Sequence, residues 1–156
     1  MHSSFWTSIQ YFLTLNGFCL SSLSAIFFKI SYGGNLSILC SLLNSNSFPK
    51  TKGNILLIED VGEYLYSIDR MIYSLKRSGV FENISGLIVG KFSKTKDNKP
   101  SFGQNIHEII IQALSEYNFP ICFDFPFGHV KNNKPLLLFK NVQLQIRKSV
   151  QLIYTN

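Results

Sequence analysis

The chain has 156 residues, enough for one domain with a sizeable core, and 46% of them are hydrophobic against 15% charged. Its net charge of +6 comes from thinly spread lysines, a solvated basic surface without the arginine stripe or aromatic stacking motif of a nucleic-acid module. No nucleic-acid partner is therefore expected. Cys19, Cys40 and Cys122 are isolated, odd in number and without metal-ligand spacing, which argues against a disulfide framework and a metal cluster. Cys40 and Cys122 sit in apolar runs and read as small core residues in a reducing compartment.

Met1 to Phe28 contains no Asp, Glu, Lys or Arg. Phe5 to Phe28 is long enough to span a bilayer, but Thr, Ser, Asn and Gln dilute it and Asn16-Gly17 signals a turn within it. It also lacks the basic start and small-residue cleavage site of a secretory signal. Residues 1–32 are expected to form an irregular or helical apolar segment rather than a membrane anchor.

From Gly33 onward the pattern changes. Gly33-Gly34-Asn35 reads as a backbone turn that starts a helix over Asn35 to Leu43. It is no phosphate loop, because neither dinucleotide nor Walker spacing follows. Ile55 to Ile58 has the continuous aliphatic character of a buried strand and ends at Glu59-Asp60-Val61-Gly62-Glu63. Leu65, Ile68, Ile72 and Leu75 fall on one helical face, closed by Ser78-Gly79. Gly86 to Phe92 predicts a second buried strand, and Ile106, Ile109, Ile110, Ala113 and Leu114 a further helix. Ile121 to Phe125 predicts a third strand leading to Gly128-His129. Short strands are expected around Leu136 to Leu138, Val142 to Ile146 and Leu152. Alternation of this kind argues a mixed α/β domain.

Glu59 and His129 each stand where an apolar run stops abruptly. A carboxylate that orients an imidazole, and an imidazole that accepts a nucleophile's proton, are two members of a hydrolytic triad. Taken singly, a strand-end Glu is an ordinary solvated turn residue and a His after Phe-Gly an ordinary loop residue. Asp60, Glu63 and Asp69-Arg70 read as turn and cap carboxylates and a helix-face ion pair.

Five stretches in order carry a resemblance: Gly33-Gly34-Asn35-Leu36-Ser37, Leu57 to Glu63, Ile68-Asp69-Arg70-Met71 with Leu75, Gly86-Leu87-Ile88-Val89-Gly90, and Phe125-Pro126-Phe127-Gly128-His129. Together they resemble the C-terminal domain of the LD-carboxypeptidases, serine peptidases of murein recycling that share this domain with the microcin-immunity hydrolases. The resemblance implies a swivelling ββα C-terminal domain over residues 33–156, which normally docks on a Rossmann-like N-terminal domain. It also implies a Ser-His-Glu triad split between the two domains, with Glu59 and His129 as its catalytic glutamate and histidine. The nucleophile serine is expected to lie outside this chain, since Ser3-Ser4 and Ser21-Ser22 lack the strand–turn–helix context of a nucleophile elbow.

The implied activity is cytoplasmic removal of the terminal D-alanine from murein tetrapeptides, without cofactor or metal, by a truncated or split enzyme. A homodimer is left open. The alternatives are half of a microcin-immunity-type hydrolase, or a non-catalytic remnant or interaction module. Phe139 departs from the family, which usually turns on glycine at that place; a bulky aromatic is expected to resist positive φ there.

Overall fold

The computed structural model describes the backbone of residues 12–15, 19–20 and 25–28, and complete residues 29–146 and 150–154. Its strands are β1 (Phe12–Leu15), β2 (Cys19–Leu20), β3 (Ala25–Asn35), β4 (Ile55–Val61), β5 (Gly86–Ser93), β6 (Ile121–Cys122), β7 (Asn141–Ile146) and β8 (Val150–Tyr154). They form one sheet in the order β1-β8-β7-β3-β4-β5-β6-β2. The centre, β3-β4-β5-β6, is parallel, and the flanking pairs are antiparallel. The helices are α1 (Leu36–Ser41), α2 (Leu65–Arg77) and α3 (Ile106–Ala113).

Two-residue alternation divides each central strand between two cores. Leu56, Ile58, Leu87, Val89 and Phe123 face α2 and α3, meeting Ile68, Ile72, Leu75, Ile109 and Ile110. Ile55, Leu57, Ile88 and Phe125 face the other way and meet Val142, Leu144, Ile146 and Leu152 of β7 and β8. The antiparallel arm thus curls back over the open face of the parallel strands. In β7 the odd residues Asn141, Gln143 and Gln145 stay outside this core, the alternation of a strand with one buried face.

The described residues of the N-terminal segment are extended, contrary to the irregular or helical character expected of it. β3 runs straight through the 32–33 junction. Its first half pairs with β7, Ala25 opposite Ile146, and its second half with β4, Ser31 opposite Ile55. An aliphatic and aromatic run such as Ala25 to Ile30 takes whichever periodicity its partners offer, and here both neighbours are strands. Ser3, Ser4, Ser21, Ser22 and most of Phe5 to Phe28 lie outside the described residues. Among the described residues no helix is long and apolar enough to cross a membrane.

Gly33 and Gly34 do not form a turn. They sit inside β3, opposite Leu57 and Ile58. Gly33 has φ +143, and a Cβ there would lie 1.9 Å from the Leu57 carbonyl oxygen. The glycine is demanded by close approach of two backbones, not by a reversal. Asn35 then caps α1.

Three other expectations are revised. β6 covers only Ile121–Cys122, because Asp124 takes φ 63 and breaks the extended run. Leu136 to Leu138 form no strand; Leu137 N donates to Tyr154 Oη at 3.1 Å, and the Leu137 carbonyl accepts from Ser31 Oγ at 2.9 Å. No Asp69–Arg70 ion pair forms among the described residues, since adjacent helical residues diverge and Arg70 instead lies over the Tyr66 ring at 5.7 Å.

Phe139 does adopt positive φ, at 61°. The conformation costs roughly 1–2 kcal/mol in a non-glycine residue. It is offset by a Phe139 N–H bond to the Ser31 carbonyl at 2.8 Å and an edge-on contact with Tyr32 at 5.1 Å. Cys122 is buried and Cys40 half-buried, and Cys40 is a free thiol. Burial, and then the charge of Asp60, push the Cys40 thiol up to about 11.

Candidate active site

β4 leaves the interior with two consecutive carboxylates on opposite faces. Leu57 belongs to the core under β7 and β8, and Glu59, two residues on, shares its side of the strand. Asp60 points to the helix side with Ile58. The register slips at this point: Ile58 faces Val89 but Asp60 faces Phe92, so β5 carries an extra residue opposite Glu59. Such a bulge ends regular pairing and re-aims side chains at a sheet edge.

The two carboxylates have different work. Asp60 is 2% exposed, and it accepts from Asn35 Nδ2 at 2.8 Å, Ser37 N at 2.9 Å and Val61 N at 2.7 Å. It ties β3, α1 and β4 together, in line with its reading as a cap. Glu59 is equally shielded, at 6% exposure. A buried carboxylate is costly without a partner. Its partner is His129, whose Nδ1 lies 2.8 Å from Glu59 Oε2 although the residues are 70 positions apart. A carboxylate can only accept, so Nδ1 carries the proton and Nε2 of the neutral ring is an acceptor. The His129 side chain is 55% exposed, and no described residue engages Nε2.

The approach to His129 explains this placement. Gly90 lies so close to the next segment that a Cβ would meet the Phe127 carbonyl oxygen at 2.7 Å. With no Cβ in the way, Lys91 N bonds that carbonyl at 2.9 Å, and the Phe125–Gly128 segment runs alongside β5. Gly128 has φ +114, and a Cβ there would meet Glu59 Oε2 and the Lys91 carbonyl oxygen, each at 2.9 Å. Ser93 Oγ donates to the His129 carbonyl at 2.9 Å, which fixes the backbone and leaves the imidazole untouched.

Gly128→Ala should therefore push the histidine loop off Glu59. Strain at such a position costs about 1–3 kcal/mol. The urea midpoint is expected to fall with an unchanged slope; a wild-type midpoint would show that the loop yields freely.

The pair opens on a cavity of about 360 Å³. Leu57, Phe127, Pro135, Leu136 and Leu138 form its apolar wall. Glu59, His129, Asn133 and Lys134 supply its polar groups. Neither Asn133 nor Lys134 stands out in the sequence; their one signal is a polar Asn-Asn-Lys run just after the histidine. Glu63 does not line the cavity, and its carbonyl accepts from Lys96 N at 2.9 Å. Among the described residues no His, Cys, Asp or Glu cluster could hold a metal ion.

Fold and edge together define an α/β domain that presents a carboxylate-bound imidazole at the C-terminal ends of parallel strands. Residues 30–144 match the LD-carboxypeptidase C-terminal domain, and the chain belongs to that family. It is 32% identical over 97 residues to the "Probable murein peptide carboxypeptidase" of Bacillus subtilis, covering 62% of this chain and 30% of that protein. It is 29% identical over 98 residues to the microcin C7 self-immunity protein of Escherichia coli, covering 62% of this chain and 28% of that protein. A solved muramoyltetrapeptide carboxypeptidase from Oxalobacter formigenes superposes with a TM-score of 0.82 at 25% identity, over 96% of this chain and 52% of that one. The matched stretch is thus under a third of either curated relative (30% and 28%).

Proposed function

We propose that residues 33–156 are the acid–base half of a serine carboxypeptidase that removes the terminal D-alanine of murein tetrapeptides during cytoplasmic peptidoglycan recycling. The observation that carries the proposal is the 2.8 Å contact between Glu59 and His129 Nδ1, which leaves Nε2 as an open base beside a cavity. In the proposed reaction a serine from a separate domain is the nucleophile. Its hydroxyl proton passes to His129 Nε2 as its oxygen attacks the acyl carbon. Glu59 keeps the ring in the Nδ1–H tautomer and stabilises the imidazolium. The same proton then goes to the departing amine of D-alanine, and water releases the acyl group by the reverse sequence. Glu59 and His129 are the catalytic residues that this chain contributes.

The test uses the chain alone and then with a partner. Alone, it should release no D-alanine from murein tetrapeptide and take no label from a fluorophosphonate. Mixed with the separately expressed nucleophile-bearing half of the Bacillus subtilis relative, it should release D-alanine. Fluorophosphonate labelling of the chain by itself, abolished by His129→Ala, would contradict the proposal and make one of its own serines the nucleophile.

A further inference from the structure

We infer that Asn133 and Lys134 form a clamp for the free C-terminal carboxylate of the peptide whose last bond faces His129. The inference rests on the proposed hydrolysis and adds the group that restricts it to chain ends. An enzyme that removes only a terminal residue must read the terminal carboxylate, which lies one residue beyond the bond to be cut. That calls for donors beside the acid–base pair.

Asn133 and Lys134 line the same cavity as Glu59 and His129, and Lys134 is the one lysine or arginine among its lining residues. Both are held at the backbone side of the loop. The Gly128 N–H donates to Asn133 Oδ1 at 3.2 Å, which leaves the Asn133 Nδ2 hydrogens as the amide's outward donors. Lys134 N donates to the Pro126 carbonyl at 2.7 Å, anchoring the loop against the Phe125–Gly128 segment that leads to the histidine. No ion pair among the described residues engages the Lys134 ammonium. Glu59, the carboxylate of this cavity, already faces His129. Two adjacent residues thus offer an amide donor and an ammonium to a ligand with two acceptor oxygens. The apolar wall beside them fits a small side chain such as a methyl group.

The experiment titrates the chain, followed by NMR, with acetyl-L-lysyl-D-alanine and with its C-terminal amide at millimolar concentration. The acid should bind about tenfold more tightly than the amide, the range expected of a charge-assisted contact at a part-exposed site. Lys134→Met should bring the acid to the level of the amide, and Lys134→Arg should keep the preference. Asn133→Asp retains an acceptor for the Gly128 N–H but removes the donor and adds a like charge, so it should weaken the acid and spare the amide. Both positions are solvent-facing, and unchanged amide spectra elsewhere establish that the variants fold. Equal binding of the two peptides, no binding of either, or an acid preference that survives Lys134→Met overturns the clamp. Release of D-alanine by the assembled halves reads the acid–base pair separately, so failure of the clamp and failure of the proposed reaction give different results.

Discussion

Gly33→Ala is expected to remove more than about 4 kcal/mol of folding stability, the largest effect of a methyl group added at any described glycine of this sheet. The added Cβ would sit 1.9 Å from the Leu57 carbonyl oxygen, with the Leu57 nitrogen and carbonyl carbon at 2.7 Å. Those atoms are backbone and cannot rotate away. Relief requires β3 and β4 to separate where their pairing carries Asn35 to Glu59. Clashes of this kind belong to the exceptional class above about 4 kcal/mol, against a typical total of about 5–15 kcal/mol. Far-ultraviolet circular dichroism and a urea titration would read the loss. A variant with a midpoint near wild type would mean that the two strands do not approach this closely.

His129→Ala, in the enzyme assembled with a nucleophile-bearing half, is expected to lower kcat by roughly 10⁴-fold or more, since removing the base of a triad leaves only binding and oxyanion stabilisation. Glu59→Gln should cost about 10²–10⁴-fold. It preserves shape but can present a donor to Nδ1, which favours the wrong tautomer. KM should change far less than kcat in both variants, because neither residue is asked to hold the ground-state peptide. The double variant should be little worse than His129→Ala alone, as groups that act as a unit are not additive. Full activity in Glu59→Gln would remove the carboxylate from the mechanism.

Much of this arrangement was legible in the sequence because it rests on local pattern. The aliphatic run before Glu59 and the helical face of Leu65, Ile68, Ile72 and Leu75 are single-segment signals, and the structure realises both as β4 and α2. Glu59 and His129 stood out as polar residues ending apolar runs, and the flanking residues of the family tied them together. What was not legible depends on partners distant in sequence. Gly33-Gly34 reads as a turn until Leu57 is placed against it. Ala25 to Ile30 has no assigned periodicity until β7 supplies the ladder. Phe139 tolerates a left-handed backbone because Tyr32 and the Ser31 carbonyl receive it. Asn133 and Lys134 gain meaning only once their loop is pinned to Pro126 and Gly128.

Everything proposed for the site depends on Glu59 holding His129 with Nδ1 protonated and Nε2 free to take a proton. Long-range ¹⁵N–¹H correlation of the imidazole measures this without substrate or a partner domain. The neutral ring of the wild-type chain should show an Nδ1–H, Nε2-acceptor pattern, replaced in Glu59→Gln by a mixture in which Nε2–H is populated. An Nε2–H ring in the wild type, or the same tautomer in both proteins, would contradict it.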